Sequence, residues 1–207
     1  MVEYIVSQCF FAFGFLFSFM YNFFKVSRKT ILYCGVIFNL ASAIGFVLLH
    51  AWTGALMNIL GALLNFIYIY KNKNKFFSLP IIPIIFEILF ILGGIFTWQS
   101  WLSILPIVGN LIYGVSLWLE NEYYIKALNL VVNILYLVYE CFLFSYVAVI
   151  GTSISILMGL AFLIWGEKYN NFLKNLFHKK NNKNCWQAYI FMLLCSSIWS
   201  WGYSSAG

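Results

Sequence analysis

Residues 31 to 70 form an almost unbroken apolar run. As one helix they would be about 60 Å long, twice the hydrocarbon core of a bilayer. The run must therefore fold back, and its most polar point is His50 with Ala51. Residues 125 to 165 face the same limit and turn near Ser145. Apolar stretches near the spanning length of about 20 residues then fall at 4–24, 31–49, 52–70, 78–98, 101–119, 125–144 and 146–165. The chain is 63% hydrophobic and 9% charged, where a soluble domain carries roughly 25% charged residues. No soluble fold of this length could cover so much apolar surface. The segments do not alternate polar and apolar residues, which argues against a transmembrane barrel. The fold class is all-α: a polytopic membrane protein built as a seven-helix bundle.

The basic residues support that count. With seven helices, all twelve Lys and Arg fall on one side. The odd connections hold Lys25, Arg28 and Lys29, then Lys71, Lys73 and Lys75, then Lys126, and the tail holds Lys168, Lys174, Lys179, Lys180 and Lys183. Positive charge collects in cytoplasmic loops, so the N-terminus is expected outside and residues 167–184 inside. The same pattern accounts for the net charge of +6, so nucleic acid is not an expected partner. Glu3 precedes the first span and bases follow it, the reverse of a cleavable signal peptide. Trp52, Trp98 and Trp101 fall at the outer boundary and Trp118 and Trp165 at the inner one, as an aromatic belt requires. The five cysteines show no CxxC pair, and no metal or cofactor is expected.

An internal repeat orders the helices. A shift of 94 positions lays Asn39 on Asn133, Trp52 on Tyr146, Asn58 on Thr152, Gly61 on Ser155, and the fold-back at His50 and Ala51 on Phe144 and Ser145. The fourth helix has no counterpart. The expected plan is a three-helix unit over residues 1–70, a cytoplasmic loop and linker helix over 71–100, a second three-helix unit over 101–166 and a basic tail over 167–207. Two units in one orientation form the parallel-repeat plan known among transporters, with the site at the repeat interface. The tail holds a further short apolar segment, 186–201, which either lies in the interface or forms an eighth span.

The chain resembles the bacterial inner-membrane YgjV family. The residues that carry the resemblance are Gln8, the basic turn at 25–29, the stretch Leu49-His50-Ala51-Trp52-Thr53-Gly54-Ala55 leading to Asn58 and Asn65, then Leu105-Pro106-Ile107-Val108-Gly109, and Tyr139. They span roughly residues 4 to 168. The resemblance implies a multi-pass protein of the bacterial inner membrane. The layout looks like that of the sugar and nicotinamide-riboside facilitators and the PQ-loop proteins. No Pro-Gln dipeptide occurs here, and only the second unit has a mid-helix proline, Pro106.

Polar residues within the spans are the candidates for function. Glu87 sits near the middle of the fourth helix among Ile, Phe and Leu. A charge there costs at least a few kcal/mol, and no Lys or Arg lies at that depth, so it is expected neutral unless hydrated. It reads either as a proton-coupling carboxyl or as a hydrogen-bonded structural acid. Glu140, nearer the outer end of the sixth helix, is expected to snorkel. Six amides lie within spans: Asn39, Asn58, Asn65, Asn110, Asn129 and Asn133. The repeat-related pairs Asn39 with Asn133 and Asn58 with Thr152 are the expected substrate-binding groups, because equivalent residues of two units meet at one cavity. No catalytic constellation is present, so no enzyme is expected. The expected function is passage of a small polar solute through the membrane. The alternative is a non-transporting scaffold or receptor of the same fold. The lipid bilayer and the solute are the expected partners, and the pattern leaves room for a homo-oligomer.

Overall fold

The computed structural model describes residues 2–23, 27–71, 77, 79, 81–119 and 122–179; the apolar segment at 186–201 lies outside them. The elements are α1 (Val2–Phe23), α2 (Arg28–Leu48), α3 (Trp52–Ile69), α4 (Ile81–Phe96), a 3₁₀ turn (Trp101–Ser103), α5 (Ile104–Trp118), α6 (Glu122–Phe142) and α7 (Tyr146–Lys179). No strand occurs among the described residues. Among the described residues six helices are long and apolar enough to cross a membrane. The chain divides into two compact units, Met1–Trp165 and Gly166–Gly207, and the first contains the site described below.

Two elements depart in length from the apolar pattern. α4 has 16 residues, about 24 Å, against the 78–98 expected. Pro83 is accommodated in its first turn, where a missing N–H costs little. Its far end closes where Thr97 donates both backbone N–H (3.0 Å) and hydroxyl (2.7 Å) to the Gly93 carbonyl. α7 instead continues past Trp165 to Lys179, so the helix does not end where the apolar stretch does. Residues 167–179 contain no proline, and Gly166 alone costs a helix only about 1 kcal/mol. Lys126, expected in a connection, lies inside α6 and is buried, its ammonium 3.9 Å from the Phe162 ring centre.

The turns α2–α3 and α6–α7 share one construction. His50 and Phe144, 94 positions apart, are among the described residues the non-glycine ones with positive φ, 55° and 52°. At the first turn His50 N–H donates to Val47 O and Ala51 N–H to Phe46 O; at the second, Phe144 N–H donates to Cys141 O and Ser145 N–H to Glu140 O. This left-handed closure satisfies the last carbonyls of α2 and α6. Each turn is also held by the opposite half of the chain. Gln99, just before α5, donates to His50 O (3.0 Å) and accepts from Trp52 N–H (3.1 Å). In α1, the Tyr4 hydroxyl donates to Phe144 O (2.9 Å) and Gln8 accepts from Val147 N–H (2.9 Å). One opening N–H group of α3 and one of α7, which have no intrahelical partner, are met in this way.

Packing uses small residues where helices approach. A side-chain carbon at Gly151 of α7 would lie 2.4 Å from the Phe15 ring of α1, and one at Gly35 of α2 would lie 2.8 Å from Asn65 Oδ1 of α3. Membrane helices gain no hydrophobic drive from meeting each other, so close backbone approach supplies dispersion contacts instead. Large apolar side chains such as Leu16, Leu63, Ile88 and Ile150 face outward, as a lipid-exposed surface requires. Asn39, Asn58, Asn110, Glu140 and Thr152 face inward and are buried.

Candidate functional site, a polar cavity between the helices

Each candidate amide reaches the interior from a helix whose outer side is apolar. Asn58 of α3 gives one amide N–H to Gly54 O (2.8 Å) and one to the Tyr136 hydroxyl of α6 (3.4 Å). Asn110 of α5 gives one to Pro106 O (2.9 Å) and one to the same Tyr136 hydroxyl (2.5 Å). Asn65 of α3 repeats the pattern, to Gly61 O (2.8 Å) and the Tyr113 hydroxyl of α5 (2.7 Å), and Asn39 of α2 reaches Tyr113 at 3.4 Å. The carbonyl four residues back only accepts, so the nitrogen of Asn58, Asn65 and Asn110 must face it. Two tyrosine hydroxyls thus each gather two amides from different helices.

Between these groups lies a cavity of about 50 Å³, room for roughly three to five waters at 10–15 Å³ each. Its wall includes Asn39, Ser42, Asn58, Asn110, Tyr113, Asn129, Asn133, Tyr136, Glu140 and Thr152, with Phe38, Phe46 and Val132. The shift of 94 positions pairs most of this wall: Phe38 with Val132, Asn39 with Asn133, Ser42 with Tyr136, Phe46 with Glu140 and Asn58 with Thr152. α5 adds Asn110 and Tyr113, whereas no residue of α1 lines the cavity. Four of these five pairs keep their polar or apolar character, and Phe46 with Glu140 does not.

All four residues expected to bind substrate, Asn39, Asn133, Asn58 and Thr152, line this one cavity. Glu87 does not. It projects from α4 into the notch at Gly114 of α5, where an added carbon would lie 2.4 Å from its Oε1, and that oxygen is buried with no hydrogen-bond partner. Glu140 departs most from expectation. It is only 4% exposed and lines the cavity rather than snorkelling outward. It lies one turn before the α6–α7 reversal, where its backbone carbonyl accepts from Ser145 N–H. Thr152 stands within hydrogen-bonding reach of its carboxyl, and its Oε2 is buried without a partner. Tyr113 and Tyr136 were not foreseen either. The available signals were the spacing of Asn110 and Tyr113, one helical turn apart, and the alignment of Tyr136 with Ser42.

The basic residues sit elsewhere. Arg28 donates to Leu117 O (2.8 Å) and Lys71 to Trp118 O (3.3 Å), both at the C-terminal end of α5, where the helix dipole favours cations. Among the described residues no cluster of His, Cys, Asp and Glu could hold a metal ion.

No match is found among curated proteins or among solved structures. The family Imp-YgjV, described as bacterial inner membrane protein, matches residues 5–166. That stretch takes in the helices that build the cavity, and with six apolar helices of spanning length the chain is a multi-pass bacterial inner membrane protein belonging to the Imp-YgjV family.

Proposed function

We propose that this protein passes a small polar solute across the inner membrane along the axis between two three-helix units, with α4 as linker. The observation that carries this reading is the cavity wall itself, made of amides, hydroxyls and a carboxyl from both halves of the chain. Burying a polar group without a partner costs roughly 1–3 kcal/mol on protein mutational scales. A scaffold has no need to keep Asn133 on a cavity, or Glu140 with an unpartnered oxygen. A solute pathway needs groups of this kind. The matching turns at His50 and Phe144, each held by the other half, support two units of the same orientation. The volume of about 50 Å³ favours a solute of a few heavy atoms over a sugar. The reading is of a facilitator and not an enzyme, with the N-terminus outside and the basic tail in the cytoplasm.

The test is uptake of small polar solutes into vesicles containing the purified protein. Asn39→Leu and Asn133→Leu should each reduce uptake, by roughly 1–3 kcal/mol of lost binding where a partner is left unsatisfied. The double change should be non-additive, because both groups touch one solute. Undiminished uptake in both folded single variants would move passage away from this cavity.

A further inference from the structure

We infer that the cavity selects a small monovalent cation of the ammonium type, with Glu140 as its counter-ion. This rests on the solute-passage reading and names the class of solute. The argument comes from the single acid on the wall, Glu140, and from the acceptors around Tyr136. Asn58 and Asn110 have both amide hydrogens engaged, one on their own helix and one on Tyr136. What they have left to offer is Oδ1, an acceptor. Asn39 gives one amide N–H to Tyr113 and keeps its second N–H and Oδ1. Tyr136 already receives two N–H groups and keeps a single proton to give. Asn129, Asn133 and Ser42 bring donors as well as acceptors to the wall, so what sets the cavity apart is its one acid.

Charge points the same way. Glu140 is the one ionisable acid on the wall, and no Lys, Arg or His lines it. The described basic residues Arg28, Lys71 and Lys126 are engaged at the α5 end or against Phe162. An anion entering the cavity would meet the carboxyl and the amide oxygens with no compensating cation. A carboxylate at this depth is stable only with a counter-charge. An ammonium group supplies that charge and carries N–H donors for Glu140 Oε2, which is buried and unpartnered. Its repeat mate is Phe46, whose ring lies against Tyr136 at 6.4 Å between centres. The charged contact is thus one-sided, while the amides surround the remainder of the solute.

The test titrates purified protein with methylammonium, urea and formate. These are solutes of similar size with positive, zero and negative charge, and sodium chloride serves as the ionic control. Methylammonium should raise the melting temperature of the wild type, while urea, formate and sodium should not. Glu140→Gln keeps the side-chain shape and removes the charge, so it should weaken methylammonium binding roughly ten- to a hundredfold. Should that variant fail to fold, Thr152→Val is read in its place and should weaken the same binding. Urea binding as tightly as methylammonium, sodium stabilising as much as methylammonium, or undiminished binding in the variant each overturns the inference. Vesicle uptake separates this from passage itself. Uptake of neutral solutes without cation preference keeps passage and removes the cation. Glu140-dependent methylammonium binding without uptake keeps the site and removes passage.

Discussion

Tyr136 joins three helices through one oxygen, which accepts from Asn58 of α3 and Asn110 of α5. Interhelical hydrogen bonds in membranes average about 0.6 kcal/mol and reach about 1.7. Tyr136→Phe should therefore cost roughly 1–2 kcal/mol, measured by unfolding of the detergent-solubilised protein. The released amide hydrogens would also turn to the cavity and add donors to its wall. An unchanged stability would mean that water replaces the hydroxyl at no cost. Glu87 offers the contrast. It fills the Gly114 notch and does not line the cavity. Glu87→Gln keeps hydrogen-bonding capacity and should leave solute uptake at the wild-type rate, with stability changed by no more than about 0.5 kcal/mol. A selective loss of pH-dependent uptake would restore a proton-coupling role to Glu87. Both carboxyls stand in apolar sequence, and their depth along the helices favoured Glu87; sequence does not tell which one faces the cavity. Only the neighbours of α4 and α6 do.

The two helix reversals show what one residue position demands of an element. His50 and Phe144 hold left-handed backbone at φ 55° and 52°, a conformation that costs a non-glycine residue roughly 1–2 kcal/mol. Both lie at the position after a helix end where glycine is favoured. Phe144→Gly and His50→Gly should each stabilise the protein by about 0.5–1 kcal/mol in thermal unfolding, since Phe144 is 71% exposed and loses little packing. Phe144→Val should destabilise it, because a β-branched side chain tolerates positive φ poorly. If the glycine variants are instead less stable, the side chains contribute more than the backbone strain. The fold-back points at His50 and Ser145 were readable because a helix cannot exceed the bilayer without leaving it. The ends of α4 and α7 were not. Hydropathy reports where the lipid contact stops, but helical hydrogen bonding stops only at a breaker or a competing cap, as Thr97 shows at one and the absence of proline through 167–179 shows at the other.

At the scale of the molecule, the basic residues predict orientation. A reporter fused at the N-terminus should be external and one placed after Trp165 cytoplasmic, read by accessibility of the fusion in intact cells. Both reporters on one side would exclude an odd number of crossings and leave α4, with its 16 residues, as a helix that does not span. Orientation also decides which side of the membrane the two turns held by Tyr4, Gln8 and Gln99 face.

What the amino-acid order determined by itself was everything that adds up along the chain. Apolar content set the membrane class and the helices, and length set the reversals. The matched family follows from the same residues. Tertiary structure alone decided the rotation of each helix about its axis. In water that rotation is legible, because an amphipathic helix turns its apolar stripe inward. In a bilayer the surroundings are as apolar as the core, so a buried side chain and a lipid-facing one look alike in sequence. That is why Asn39, Asn58, Asn133 and Thr152 could be named from their correspondence between the halves. Glu140, whose mate is Phe46, became visible only once α6 was seen to turn its carboxyl toward Thr152 and the cavity.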